Sequence, residues 1–191
     1  MVVLPRPIEF LDIANDYENN LYGPDFYTAL PLIDHWLKSP LFYWSICANR
    51  KEISNTNEIE GLLSILVTSN SDFAALLSNN IREYELRPWN FSSNERPCLY
   101  FCSYSIYRPG AGRLQFAEAR KYFDALFETW NVFPDEAFSI AANAEGERHL
   151  IRSGFIDSES RYLSRYKLLR TNCSECSNGF WRHLLQCNGT K

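Results

Sequence analysis

The sequence predicts a mixed α/β domain, an α+β arrangement around one sheet, and three observations carry that prediction. The apolar periodicity gives helices, then a run of strands, then strand–helix–strand–helix–strand, an order that belongs to a single mixed sheet. Aromatic residues make up 15% of the chain, with 11 Tyr and 13 Phe, enough to fill both faces of such a sheet. The 191 residues are 46% hydrophobic and 22% charged, a balance that supports one packed core and excludes extended disorder.

Taken in order, Pro24 to Lys38 carries Phe26, Leu30, Ile33, Trp36 and Leu37 at helical spacing, with Pro31 at a start or break. Leu41 to Ala48 reads as a strand, Asn49 to Asn57 as a polar turn, and Ile59 to Thr68 as the next strand. Ser71 is placed to cap a helix over Asp72 to Leu77, and Ile81 to Leu86 reads as a short extended segment. Pro97 to Tyr107 is the clearest strand, stopped by Pro109 and Gly110. A long amphipathic helix follows, because Phe116, Ala119, Phe123, Leu126, Phe127 and Trp130 fall on one face. Ala137 to Ala142 is a short buried strand, Ala144 to Ser153 a helix ended by Gly154, and Ser160 to Leu169 a further strand.

Charge and cysteine usage narrow the function. Nineteen basic and 23 acidic residues give a net charge of -4, which argues against nucleic acid as a partner and slightly favours a cationic substrate. No apolar run is long enough to span a bilayer, and the start of the chain does not read as a signal peptide, so the expected location is cytoplasmic with no membrane contact. The six cysteines are then free thiols by default.

The turn RPGAGR, Arg108 to Arg113, joins the clearest strand to the long helix. Its glycines admit a close ligand, and the first N–H groups of a helix favour an anion such as phosphate. A plain Pro-Gly turn would look the same. After the next strand comes NAEGERHLIRSGF, Asn143 to Phe155.

This ordered set, from strand through glycine turn and helix to Asn143 and Gly154-Phe155, resembles the GNAT superfamily of N-acyltransferases across roughly residues 24 to 169. The resemblance implies a GNAT-like acyl-CoA N-acyltransferase fold, a central twisted sheet with helices on both faces. It implies acetyl-CoA, or a related acyl-CoA, as co-substrate and an amine as acceptor. A homodimer stays open. The cofactor would lie along Ser105, Ile106, Tyr107, Arg108, Gly110, Ala111, Gly112 and Arg113, and at Asn143. Two departures stand out: Tyr107 where the family's turn carries Gln or Arg, and Leu150 where the family often has an acidic Tyr. Tyr104 and Tyr107 are substitutes for that proton source, with Tyr104 preferred because Tyr107 borders the turn.

A base must take the amine's proton. Glu83 and Glu85 share one face if their segment is a strand, and the resemblance places that segment beside the fourth strand; Glu58 and Glu60 are weaker candidates. His149 reads as a helix-surface residue. The domain is expected over residues 1–170. The tail, 171–191, is either an amphipathic helix packing Phe180, Trp181, Leu184 and Leu185, or a zinc set of Cys173, Cys176, His183 and Cys187. Two rivals accompany the enzyme reading: a catalytically degenerate acyl-CoA-binding or protein-interaction module of the same fold, and an interaction module built on the Cys/His tail.

Overall fold

The computed structural model describes residues 1–23, 30–106, 108–131, 133–172, 174–176 and 179–185. Seven strands form one mixed sheet: β1 (Val2–Pro5), β2 (Phe42–Ala48), β3 (Ile59–Ser69), β4 (Pro97–Ile106), β5 (Glu136–Ala141), β6 (Ile156–Tyr162) and β7 (Tyr166–Asn172). Their order across the sheet is β1-β2-β3-β4-β5-β7-β6. Every neighbour pair is antiparallel except β4 with β5. Among the described residues six α-helices accompany them: α1 (Leu11–Tyr22), α2 (Asp34–Leu37), α3 (Asn70–Leu77), α4 (Ala111–Trp130), α5 (Ala144–Arg152) and α6 (Gly179–Leu184).

Both faces of the sheet are covered, which is why β2 is buried along its whole length and reads as a continuous apolar run. Alternation sends Tyr43, Leu63, Ile65 and Phe101 toward α4 and α6, where they meet Phe123, Phe127 and Trp181. It sends Phe42, Trp44, Leu66 and Tyr100 to the other face, against Ala14, Tyr17 and Trp36 of α1 and α2 and Phe73 of α3. The Phe73 ring stacks on Phe138 of β5 at 4.0 Å.

The periodic stripe of α4 is the expected one, and Gly110 and Asn131 bracket the helix in left-handed conformations (φ +93° and +51°). Gly154 likewise turns left-handed just past α5. The boundary expected at residue 170 falls within β7, and Trp181, Leu184 and Leu185 beyond it share the core of the α4 face. The Trp181 ring lies 4.9 Å from Phe101 and 5.3 Å from Phe155.

Several elements correct the sequence reading. Ser69, not Ser71, caps α3: its hydroxyl accepts from the Asp72 N–H at 3.1 Å. Glu83–Glu85 is a turn of 310 helix and not an extended segment, so its two glutamates do not share a face. The single strand read over Ser160 to Leu169 is a hairpin of β6 and β7. Its turn places Leu163 and Ser164 at φ +50° and +62°, where Asn and Gly are the usual residues, so the turn carried no signal. β1 and α1 were not read at all; of the first proposed helix, Leu30–Ile33 is a 310 turn and only Asp34–Leu37 is α-helical, while residues 24–29 lie outside the described ones.

Candidate active site

Two irregularities in β4 create the site. β4 and β5 pair only from Leu99–Ala137 to Phe101–Ser139, although β4 runs on to Ile106 and β5 to Ala141, so the two parallel strands diverge. On its other edge β4 bulges: Ser64 pairs with Ser103 but Ile65 pairs with Phe101, leaving Cys102 as an extra residue. A bulge leaves its extra residue out of the ladder and changes which face the following side chains occupy.

A cavity of about 430 Å³ opens at this divergence. Its walls are β4 from Tyr100 to Ser105, the end of β5, the start of α5, one face of α1, Ile33, Trp36 and Phe42, and Glu83. Asn15, Glu18, Asn19 and Tyr22 supply the α1 wall, a polar stripe at i, i+3, i+4 and i+7.

Glu83 is brought to the cavity by a long detour. Ser69 and Pro97 are paired neighbours that a short turn could join, yet residues 70–96 run between them. The segment is clamped from both sides: the Glu83 N–H donates to the Tyr162 hydroxyl at 3.2 Å, and Trp36 Nε1 and His35 Nε2 donate to the Leu86 carbonyl at 2.6 and 2.9 Å. Burial pushes the Glu83 carboxyl up to about 7, against the opposing effect of the Tyr100 hydroxyl, which donates to Oε1 at 2.5 Å; the Glu18 charge raises it further. Glu18 faces the same cavity. Its Oε1 accepts from the Ser103 hydroxyl, and burial raises its carboxyl as well. Glu85 lies elsewhere: it is exposed, and its Oε2 caps the Arg82 N–H at 2.6 Å.

Tyr104 lines the cavity with its ring against Phe101, Phe116 and His149, at 5.5, 5.0 and 4.7 Å, and burial pushes its hydroxyl up to about 12. Its carbonyl accepts from the Tyr22 hydroxyl at 3.0 Å. His149 is half-buried in the cavity wall, which corrects its reading as a surface residue; burial, then the Arg152 charge, lowers its pKa. Leu150 also lines the cavity. Glu18, Ser103, Tyr22 and His149 were missed from sequence, although the polar stripe of α1 was a signal for the first of them.

The glycine turn lies at the far end of β4. Gly110 provides the left-handed start of α4, and Ala111 and Gly112 are buried behind it. The start of α4 is tied to the sheet by Gln115, whose Nε2 donates to the carbonyls of Ser45 and Gly61 at 3.0 and 3.2 Å. Gly61 must be glycine for this approach, since a Cβ there would lie 2.7 Å from Gln115 Oε1 and 3.0 Å from the Ser105 carbonyl. Arg108 donates to Asn49 Oδ1 at 2.7 Å and lies 3.8 Å from Glu60; Arg113 is exposed. Ser105 and Asn143 line the cavity, with the Ser105 hydroxyl accepting from the Leu62 N–H at 3.3 Å and the Asn143 side chain capping α5 through the Gly146 N–H at 2.8 Å. Tyr107 and the side chain of Ile106 lie outside the described residues. So do Cys173 and Cys187 of the zinc set. Of the other two, Cys176 is buried in the core and His183 Nε2 pairs with Asp124 at 2.5 Å. Among the described residues no cluster of three or more His, Cys, Asp or Glu is placed to hold a metal, and no helix is long and apolar enough to cross a membrane.

The divergent β4/β5 pair and the mixed sheet define the class of fold: it is that of the GNAT N-acyltransferases, α/β with helices on both faces. Among solved structures, NAA60 of Arabidopsis thaliana in complex with acetyl-CoA is similar with a TM-score of 0.55 at 16% identity, over 90% of this chain and 99% of that one. FeeM, an N-acyl amino acid synthase from uncultured soil microbes, is similar with a TM-score of 0.50 at 14% identity, over 96% and 99%. No family model matches the sequence, and no curated protein does.

Proposed function

We propose that the protein is an N-acyltransferase that moves an acetyl group from acetyl-CoA to an amine. The observation that carries this reading is Glu83, a buried carboxyl with its pKa near 7, standing in the cavity where β4 leaves β5. A base poised near the operating pH can take the proton of an ammonium and still be ionised often enough to do so.

The rest of the site supplies what the reaction needs. The diverging strands leave room for the pantetheine arm, and the turn from Arg108 to Arg113, with the N-terminus of α4, suits the phosphates. Glu83 first takes a proton from the ammonium; the neutral amine nitrogen then attacks the thioester carbonyl carbon, and the adduct nitrogen gives up its remaining extra proton to solvent, from which Tyr104 is later reprotonated. The β4 backbone beyond Phe101, which has left its pairing with β5, offers the N–H donor for the oxygen that gains charge. The C–S bond then breaks, and the thiolate takes a proton from Tyr104, whose hydroxyl is protonated at neutral pH. Leu150 cannot serve there. Glu85, engaged in its own turn on the surface, is left out of this scheme.

Leu150 in the cavity wall favours one second reading, an acyl-CoA-binding module without turnover. One experiment separates the two. Acetyl-CoA is expected to raise the melting temperature, with a stabilisation of about 2.7 kcal/mol at a hundred times its Kd, and CoA is expected to be released when amines are added. Stabilisation without CoA release across a broad amine panel selects the binding module. No stabilisation at millimolar acetyl-CoA removes both.

A further inference from the structure

The cavity is lined by three glutamates, Glu18, Glu83 and Glu145, and by no Lys or Arg among its described residues. Glu18 and Glu83 approach from separate elements, α1 and the 310 turn, and neither has a cationic partner among the described residues. Each has one oxygen engaged: Oε1 of Glu18 by Ser103 and Oε1 of Glu83 by Tyr100. The Oε2 atom of each has no hydrogen-bond partner among the described residues. Both side chains are half-buried, and two acidic groups in one cavity with no cation among the described residues favour a cationic ligand, which stabilises their charged forms.

The reacting amine cannot satisfy both carboxylates, because it must lose its proton to Glu83 before it attacks. Through that step Glu18 would remain unpaired unless the ligand carried a second, lasting positive charge. The surrounding aromatic rings of Tyr17, Tyr22, Trp36 and Tyr100 suit an ammonium, which is attracted to the face of a ring. The wall beside Glu83 is closed against a longer chain. Tyr162 at the β6–β7 tip is only 4% exposed, and the Asn79 side chain ties that tip down by donating to the Arg161 carbonyl at 3.0 Å and accepting from the Leu163 N–H at 3.3 Å. The cavity of about 430 Å³ is shared with the acyl arm of the co-substrate, so what remains for the acceptor fits a small molecule, against ~300–1,000 Å³ usual for a ligand pocket.

We infer that the acceptor is a small diamine, whose distal ammonium is held at Glu18 among the aromatic rings while its reacting amine stands at Glu83. This rests on the acyltransferase reading for the transfer step but not for the binding. Amino acids are selected against, since they would bring a carboxylate into a cavity that already has unpaired ones.

The test titrates three molecules of matched length, 1,4-diaminobutane, n-butylamine and 4-aminobutanoate, into the full chain by calorimetry. A charge-assisted contact contributes about 1.5–3 kcal/mol, so the diamine is expected to bind at least about tenfold more tightly than butylamine. Binding of 4-aminobutanoate is expected to be weaker than that of either. Glu18→Gln is expected to erase most of the diamine's advantage while leaving acetyl-CoA binding unchanged. Equal affinity for diamine and butylamine, or tight binding of the amino acid, overturns the inference; this comparison is made on the unaltered protein and does not depend on a variant folding. Acetyl transfer measured alongside keeps the two readings apart. Transfer to butylamine as efficient as to the diamine overturns the inference and keeps the acyltransferase. Selective diamine binding with no transfer supports the charge-selective cavity and removes the acyltransferase.

Discussion

β4 runs along a cavity and into a turn that differ in charge and in how they are built. Its C-terminal end opens on Arg108 and Arg113, exposed cations at the start of a 20-residue helix, in a turn continuous along the chain. The cavity behind it holds Glu18 and Glu83, carboxyls from segments far apart in sequence, without a cation among the described residues. The turn suits polyphosphate and the cavity an ammonium. One strand would then align an anionic cofactor and a cationic acceptor head to tail, each repelled by the other's site.

The sharpest way to break that division is to neutralise one site and look for an effect at the other. Glu83→Gln is expected to lower kcat by about a hundredfold, the lower range for loss of a general base, with acetyl-CoA affinity unchanged. Glu85→Gln is expected to be close to wild type. Turnover of the unaltered protein is expected to climb as pH rises through about 7, because Glu83 must be ionised to accept the proton, and the variant should lose that limb. A loss below tenfold in Glu83→Gln would remove the base assignment.

The reciprocal change gives a smaller effect. Arg108→Ala and Arg113→Ala are each expected to weaken acetyl-CoA binding about fivefold to tenfold, as loss of one solvent-exposed phosphate contact would, with the acceptor KM unaffected. Arg108 is the milder of the two, since it must first leave Asn49. If either substitution changed acceptor affinity as much as cofactor affinity, the turn and the cavity would not be separate sites.

A third effect is on stability. The folded Glu83 carboxyl titrates near 7 against an ordinary value of 4.5, so between those values the native state holds more protons than the unfolded chain. Stability should therefore be fully present below about pH 4.5 for this group and fall as pH rises through about 7. Differential scanning calorimetry of the Glu83→Gln variant should show a flatter melting temperature across that window. An unchanged slope would mean that Glu83 is not desolvated in the native state.

The same contrast explains what could be read from the chain. The glycine turn and α4 were legible because their signals are local: Pro-Gly, then a stripe from Phe116 to Phe127 at helical spacing. Glu83 was found only through the resemblance, and its pairing with Glu85 failed because alternation was assumed where the chain makes a 310 turn. Glu18 lies in the polar stripe of α1, but nothing local tells that stripe from a solvated face: its partner Ser103 is 85 residues away, and burial of a charged side chain is set by tertiary packing. The bulge at Cys102 is a property of register between two strands, which neither strand specifies alone. The β6–β7 turn was illegible because Leu163 and Ser164 adopt backbone angles that their side chains do not advertise.

The docking of Trp181 against Phe101 and Phe155 also orders events at birth. A ribosome delivers all seven strands of this sheet before it delivers the side chain that seals one face of it. Until Trp181, Leu184 and Leu185 emerge, the α4 side of the nascent domain presents an open apolar seam, the kind of surface that chaperones bind and that aggregates when crowded. Completion of the fold is therefore coupled to the emergence of residues 181–185, not to the appearance of the sheet.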